Sequence, residues 1–382
     1  MKKALINTNI VMPDYVIREG VIIIEDGKIK DFGRKLSTEG CETVDLEGAY
    51  TGPGLIDIHT HADGVDYFFF ENPTAAAKTV LKHGVTDVLP ALYFSMNAEE
   101  LIENIGKIRA AMNSGEADNI IGLYMEAPYL NSKYGCNKEN NPWMLPVAKE
   151  RYMPVVDAAY DIARVWCLAP EREGIEEFCR DVKEKNPKAV FSVAHSEAEP
   201  HDIEKLLKYD LKCATHCTNA TGILQKYPEC RGVCVDEAVF YNDSIYAELI
   251  CDRMGIHVDP YMLRLVKKIK GDDRIILISD SFIEHGPVPD EGCYDGVDDI
   301  NFDFTGEIAG TKLTLDLACR NMMMNTGSSL CQVFKYASRN PARMLNLTDR
   351  GEIAKGNLAN LLVVDAEFGV KRVFLHGEEV AR

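Results

Sequence analysis

The sequence predicts an α/β protein, a (β/α)8 TIM barrel with a small β-sandwich formed by its N- and C-terminal segments. Three observations predict it. Residues 1–52 and 348–382 read as short strands joined by tight turns. Residues 53–347 alternate apolar runs with helical stretches, the pattern of repeated βα units. Polar, metal-competent side chains stand at the C-terminal ends of those apolar runs, where a barrel builds its site.

The elements follow in order. Val21–Ile24 is an apolar run, Asp26-Gly27 is a hairpin turn, and 28–32 alternates polar with apolar. At the other end, 361–364 and 370–375 read as strands, with a turn at His376-Gly377. Neither terminal segment supports independent folding, so one sandwich built from both is expected beside the central domain. Between them, eight strand candidates fall at 54–59, 85–91, 120–125, 164–168, 189–194, 211–215, 245–251 and 274–278. Helix candidates include 74–83, 98–112, 175–185 and 260–270. No Gly-x-Gly-x-x-Gly follows the first strand, which argues against an open dinucleotide-binding sheet.

Charge narrows the function classes. Sixty acidic residues against 42 basic ones give a formal net charge of −18. Nucleic acids and anionic membranes need a positive field, so neither is an expected partner. No apolar run is long enough to span a bilayer, and the N-terminus does not read as a secretory signal. The twelve cysteines are therefore expected as mostly buried, reduced thiols in a cytoplasmic protein. Cys213, Cys217, Cys230 and Cys234 form two pairs that could hold structural zinc. Their three-residue separation, against the usual two, and the place of Cys213 inside a strand weigh against that site.

The chemistry gathers at the strand ends. His59 and His61 end strand one, Glu126 strand three, His195 strand five and His216 strand six. His257 follows strand seven, and Asp280 ends strand eight. Residues at i and i+2 on a strand point the same way, so His59 and His61 can hold one ion together. Imidazole and carboxylate donors suit Zn²⁺, and equally Fe²⁺, Co²⁺ or Mn²⁺. One or two divalent ions are expected. His83, His201, His285 and His376 lie outside this pattern and read as surface or hydrogen-bonded histidines.

These residues resemble the amidohydrolase superfamily, and most closely the N-acetylglucosamine-6-phosphate deacetylases. The resemblance covers nearly the whole chain. It rests on Pro-Gly-Leu-Ile-Asp-Ile-His-Thr-His (53–61), Met-Glu-Ala-Pro-Tyr-Leu-Asn (125–131), Leu-Ala-Pro-Glu (168–171), Ala-His-Ser (194–196), Thr-His-x-x-Asn-Ala (215–220), Gly-Ile-His-Val (255–258), Ser-Asp-Ser (279–281) and the loop Ile-Ala-Gly-Thr (308–311). The resemblance implies that Glu126, His195 and His216 hold the principal metal. His59 and His61 hold a second ion or share the site. Asp280 acts as general base and then acid, and His257 polarises the scissile carbonyl. The backbone at Asn219 and Ala220 helps hold a phosphate. Two stretches depart from the family. Its Arg-Glu-Pro-Gly reads Glu229-Cys230-Arg231-Gly232 here, which leaves Arg231, Lys226 or a neighbouring subunit to meet a phosphate. Its Gly-Ala-His reads Gly135-Cys136-Asn137.

The implied reaction removes an N-acetyl group from an amino sugar, N-acetylglucosamine 6-phosphate first among them. A different N-acyl amine, a cyclic amide or a deaminase substrate are the alternatives. Hydantoinase-type enzymes use a carboxylated lysine at strand four, and 165–170 has no lysine. A homologue that binds metal without catalysis is the non-enzyme alternative. A homodimer is expected by analogy of fold.

Overall fold

Parallel strands buried on both faces read as unbroken apolar runs, because helices cover one side and the interior fills the other. In a computed structural model of the protein, which describes residues 2–70, 72–136, 138–289 and 296–381, those runs become a ring. The eight barrel strands are Leu55–Thr60, Val85–Tyr93, Leu123–Glu126, Ala163–Leu168, Val190–Val193, Leu211–Ala214, Tyr246–Ile250 and Ile275–Ile278. Each pairs in parallel with the next in chain order. The first and eighth strands meet just past their ends. There the Asp280 N–H donates to the His59 carbonyl at 3.0 Å, and the His61 and Ala62 N–H groups donate to Ser281 at 2.9 and 3.0 Å. The seam therefore closes at the end where the polar residues stand.

The helices follow local signals. Ala98–Met112 begins at Asn97, whose side chain accepts from the Glu99 and Glu100 N–H groups while Glu100 reaches back, a capping box. Pro260–Lys270 starts with proline after the Asp259 cap and stops at Gly271. Ile175–Lys185 and Pro73–Lys82 occupy the expected stretches. Lys149–Ala159 and Leu315–Thr326 were not anticipated; Pro154 interrupts the first and a methionine- and asparagine-rich face blurs the second. Among the described residues, no helix is long and apolar enough to cross a membrane.

Both chain ends contribute to one further sheet of eight strands. Its order runs Glu378–Glu379, Val370–Leu375, Leu361–Val364, Tyr50–Pro53, Lys2–Val11, Val16–Glu25 and Lys28–Gly33, with Glu42–Asp45 also pairing to Lys2–Val11. Leu5, Ile22, Ile24, Leu361, Val363 and Phe374 belong to a core separate from that of the barrel. The sheet reaches the barrel through Gly54, whose N–H donates to Asn360 at 2.8 Å. Arg350 pairs with the buried Asp87 of barrel strand two, and Asn360 donates to the same carboxylate at 3.3 Å.

Candidate active site and metal centre

Six side chains from five strand ends converge. Glu126 ends strand three, His195 and His216 follow strands five and six, His59 lies in strand one with His61 just past it, and Asp280 follows strand eight. All six are buried. Glu126, His195 and His216 form one group whose ligand atoms lie within 4.8 Å of one another, and His59, His61 and Asp280 form a second. His195, His216 and Asp280 adopt φ of 42°, 28° and 46°. Left-handed backbone is costly for residues with a Cβ, and it concentrates where the fold must aim a side chain.

The distances describe a shared centre. Glu126 Oε1 lies 2.9 Å from His195 Nε2 and 3.2 Å from His216 Nε2, and those two nitrogens are 3.1 Å apart. Glu126 Oε2 lies 3.3 Å from His61 Nε2 and 3.7 Å from His59 Nε2, while Asp280 Oδ1 stands 3.5 and 3.6 Å from the same nitrogens. The His61 Nδ1 faces the Ala91 carbonyl at 3.0 Å. A carbonyl only accepts, so Nδ1 carries the proton and the Nε2 lone pair points into the centre. His59 Nε2 is buried with no hydrogen-bond partner. An orphaned imidazole nitrogen, two others in near contact and two carboxylates fit a divalent cation, and the N/O donor set suits Zn²⁺, Fe²⁺, Co²⁺ or Mn²⁺.

The electrostatics are consistent with that fit. Burial pushes the Glu126 carboxyl up, but the surrounding imidazoles of His195, His216, His59 and His61 outweigh it and hold the group well below the usual range. Burial likewise opposes charge on Asp280, and His59, His61 and His216 together keep it ionised. The histidines answer in kind. Burial disfavours the charged rings, yet Asp280 and Glu126 raise His59, His61 and His216 above the ordinary histidine value.

Above the centre opens a cavity of about 360 Å³. His257, Asn219 and Ala220 line it. Asp252 receives the His257 N–H at 2.9 Å and faces its Nδ1 at 3.6 Å, and Asn219 donates to the His257 carbonyl at 2.7 Å. Ile308, Ala309 and Gly310 reach the same wall. Gly310 has φ +65°, and a Cβ there would stand 2.7 Å from the Asp280 carbonyl, so the loop needs glycine.

One expectation is not met within the chain. Arg231 does not line the cavity. It stands on the short hairpin of Gln225–Tyr227 and Cys230–Arg231, with its side chain 74% exposed and paired to Glu237. The hairpin turns the guanidinium to solvent, away from this chain's own cavity. The four cysteines, whose spacing weighed against a metal site, stand apart. Cys213 Sγ donates to Glu248 at 3.3 Å, Cys217 Sγ to Asp236 at 3.8 Å, and Cys230 is exposed. In the other altered stretch, Gly135 and Cys136 line the cavity, while Asn137 lies outside the described residues.

Sequence reasoning missed several lining residues. Tyr93, Phe94 and Phe282 supply aromatic wall, and Lys133 and Lys138 are its cations among the described residues. Lys133 pairs with Glu197 at 2.5 Å and Lys138 with Glu307 at 2.9 Å. No spacing rule singles out such loop residues. Glu248, buried in strand seven, was missed too, although an acid inside an apolar parallel strand is itself a signal.

With this geometry in place, comparison with known proteins is informative. A model of the amidohydrolase family matches residues 51–380. The chain is 25% identical over 383 residues to an N-acetylglucosamine-6-phosphate deacetylase of Bacillus subtilis (strain 168), covering 94% of this chain and 92% of that protein. It is 27% identical over 344 residues to an N-acetylgalactosamine-6-phosphate deacetylase of Escherichia coli O157:H7, covering 85% and 86%. Among solved structures, an N-acetylglucosamine-6-phosphate deacetylase of Thermotoga maritima superposes with a TM-score of 0.83 at 26% identity, covering 99% of both chains.

Proposed function

The chain belongs to the amidohydrolase family, and from that premise we propose that it is a metal-dependent deacetylase of N-acetyl-hexosamine 6-phosphates. N-acetylglucosamine 6-phosphate, hydrolysed to glucosamine 6-phosphate and acetate, is the first substrate to expect. The observation that carries this reading is the Asp280 carboxylate beside the Glu126/His195/His216 and His59/His61 donors on the floor of a cavity lined by His257.

Glu126, His195 and His216 would hold the principal ion, and His59 and His61 a second or shared one. When bound, a divalent cation supplies Lewis acidity, polarising the acyl carbonyl and lowering the pKa of water to about 7. The protein supplies the rest. Asp280 orients the attacking water and accepts its proton. His257, anchored by Asp252 on one side, faces the cavity with its other edge and holds the developing oxyanion. The C–N bond then breaks, and Asp280 returns the proton to the departing amine. The buried floor keeps each charge effective. Zinc as the ion, a homodimer and a cytoplasmic setting belong to the same proposal.

With Arg231 turned from this chain's own cavity, Lys133 and Lys138 are the lysines on its wall that can meet a phosphate, beside whatever a neighbouring subunit supplies. Both already face glutamates. That pairing and the aromatic wall favour a second reading, in which the substrate is an unphosphorylated N-acyl amine. Acetate release from N-acetylglucosamine and N-acetylgalactosamine, each with and without 6-phosphate, separates the two. Ammonia release without acetate from any substrate would sink both.

A further inference from the structure

Beneath the metal-binding floor, the barrel strands hold further buried acids, Asp57 and Glu248 among them. Glu248 lies mid-strand in Tyr246–Ile250 with no exposed surface. A carboxylate sealed in a barrel is costly unless its lone pairs are satisfied. Here they are. The Tyr124 hydroxyl donates to its two oxygens at 3.0 and 3.1 Å, and Cys213 Sγ lies 3.3 Å from Oε1. The His216 backbone N–H and His59 Nδ1 each lie 3.4 Å from Oε2. Tyr124 is braced in turn by Thr215 at 2.8 Å, which contacts Ser192 at 2.6 Å.

The same tyrosine controls the ring above it. His59 stacks on Tyr124 with centroids 4.3 Å apart and planes 19° from parallel. Tyr124 therefore fixes the plane of the imidazole, and Glu248 fixes which edge faces down. With Nδ1 facing a carboxylate, its proton stays there, and Nε2 faces Glu126 and Asp280 with its lone pair free.

We propose that Glu248 is a positioning residue for the metal centre: it sets the tautomer and orientation of His59, and it holds the backbone at His216. It touches neither substrate nor reacting atoms. One acid thus steadies a member of each ligand group. The inference rests on the reading that His59 and His216 bind metal. A carboxylate behind a ligating histidine raises the ring's basicity and its occupancy by metal, and losing such a partner costs 10–100-fold in metal affinity.

The test uses the full chain, stripped of metal and reloaded with Zn²⁺ or Co²⁺. Chelator competition should show Glu248→Gln binding the ion about 10–100-fold more weakly, with a shifted Co²⁺ visible spectrum. Tyr124→Phe, which keeps the stack and removes the hydroxyl, should move both readouts in the same direction by less. A folded Glu248→Gln protein with wild-type affinity and spectrum, even with a lowered melting temperature, would make Glu248 only a strut and overturn the proposal. Ring ¹⁵N–¹H correlation spectra of the zinc-loaded wild-type protein give an answer independent of whether Glu248→Gln folds. They should place the His59 proton on Nδ1; a proton on Nε2 overturns the proposal. His59→Gln tests the underlying reading separately, because unchanged metal stoichiometry there would sink the ligand assignment whatever Glu248 does.

Discussion

The floor and the rim of the cavity are built differently. The floor consists of strand ends. Glu126, His195, His216, His59, His61 and Asp280 are all buried and held within a few ångströms by main-chain pairing on both sides. The rim consists of segments that follow the strands. Lys133, Lys138 and Gly135-Cys136 come from the segment after strand three, and Ile308, Ala309 and Gly310, in a small two-stranded sheet, from the segment after strand eight. Rigid elements fix reacting groups, while loops can change identity without disturbing the sheet. The reaction class is thus written into the floor, and the choice of substrate into the rim.

Chelation should produce the largest effect. Stripping the ion removes the group that the floor is shaped for, and acetate release should fall to background and return on reloading. The stripped floor should also carry a pH signature. His59, His61 and His216 lie above the ordinary histidine value of 6.5. A raised value means that their stabilising contribution is complete below about pH 6.5 and fades as pH rises through the folded-state values. Metal binding needs neutral rings and strengthens over the same interval. The melting-temperature gap between zinc-loaded and stripped protein should therefore widen from pH 6 upward; a constant gap would break the picture of proton and metal competing for one centre.

Asp280→Asn comes next. It removes the proton acceptor without removing an imidazole, and kcat should drop by about 10²–10⁴. Metal content should stay close to wild type, measured by elemental analysis. Near-normal turnover would move the acid–base role elsewhere.

The rim should respond more gently and mainly in KM. Lys133→Ala and Lys138→Ala should each raise KM for a 6-phosphate substrate by roughly tenfold, about 1.4 kcal/mol, while leaving unphosphorylated substrates unaffected. Equal effects on both substrate types would show that the lysines hold the loop rather than the phosphate. Arg231→Ala should change nothing measurable in KM or kcat, since the side chain faces solvent and Glu237. A large KM increase there would return the hairpin to the binding site.

The same division explains what could be read from the sequence. Barrel strands were legible because unbroken apolar runs end in polar residues, and the His59/His61 spacing reports a strand directly. Ala98–Met112 and Pro260–Lys270 were legible to their ends because Asn97 and Asp259 cap them. The candidate residues of the floor could be listed from their places at strand ends, and their roles came from the family resemblance. The rim could not be listed so, because the sidedness of a loop depends on packing that no periodicity records; Arg231 looked available and proved to face outward. Glu248 was legible in principle. An acid between Ala247 and Leu249 in a buried parallel strand has no solvent to face, but a search confined to strand ends passes over it.

The seam between strands one and eight has a consequence for how this enzyme comes into being. His59 and Asp280 are neighbours only across that seam, joined by the Asp280 N–H to His59 carbonyl bond. Their meeting is the last contact a chain emerging N-terminus first can complete within the ring. The strand leading into strand one, Tyr50–Pro53, is then clasped by Leu361–Val364 near the other end of the chain. On the proposed mechanism, catalytic competence would report circular completion: a molecule with seven strands in place would have Glu126, His195 and His216 but lack Asp280, and only the finished, fastened ring would turn over substrate.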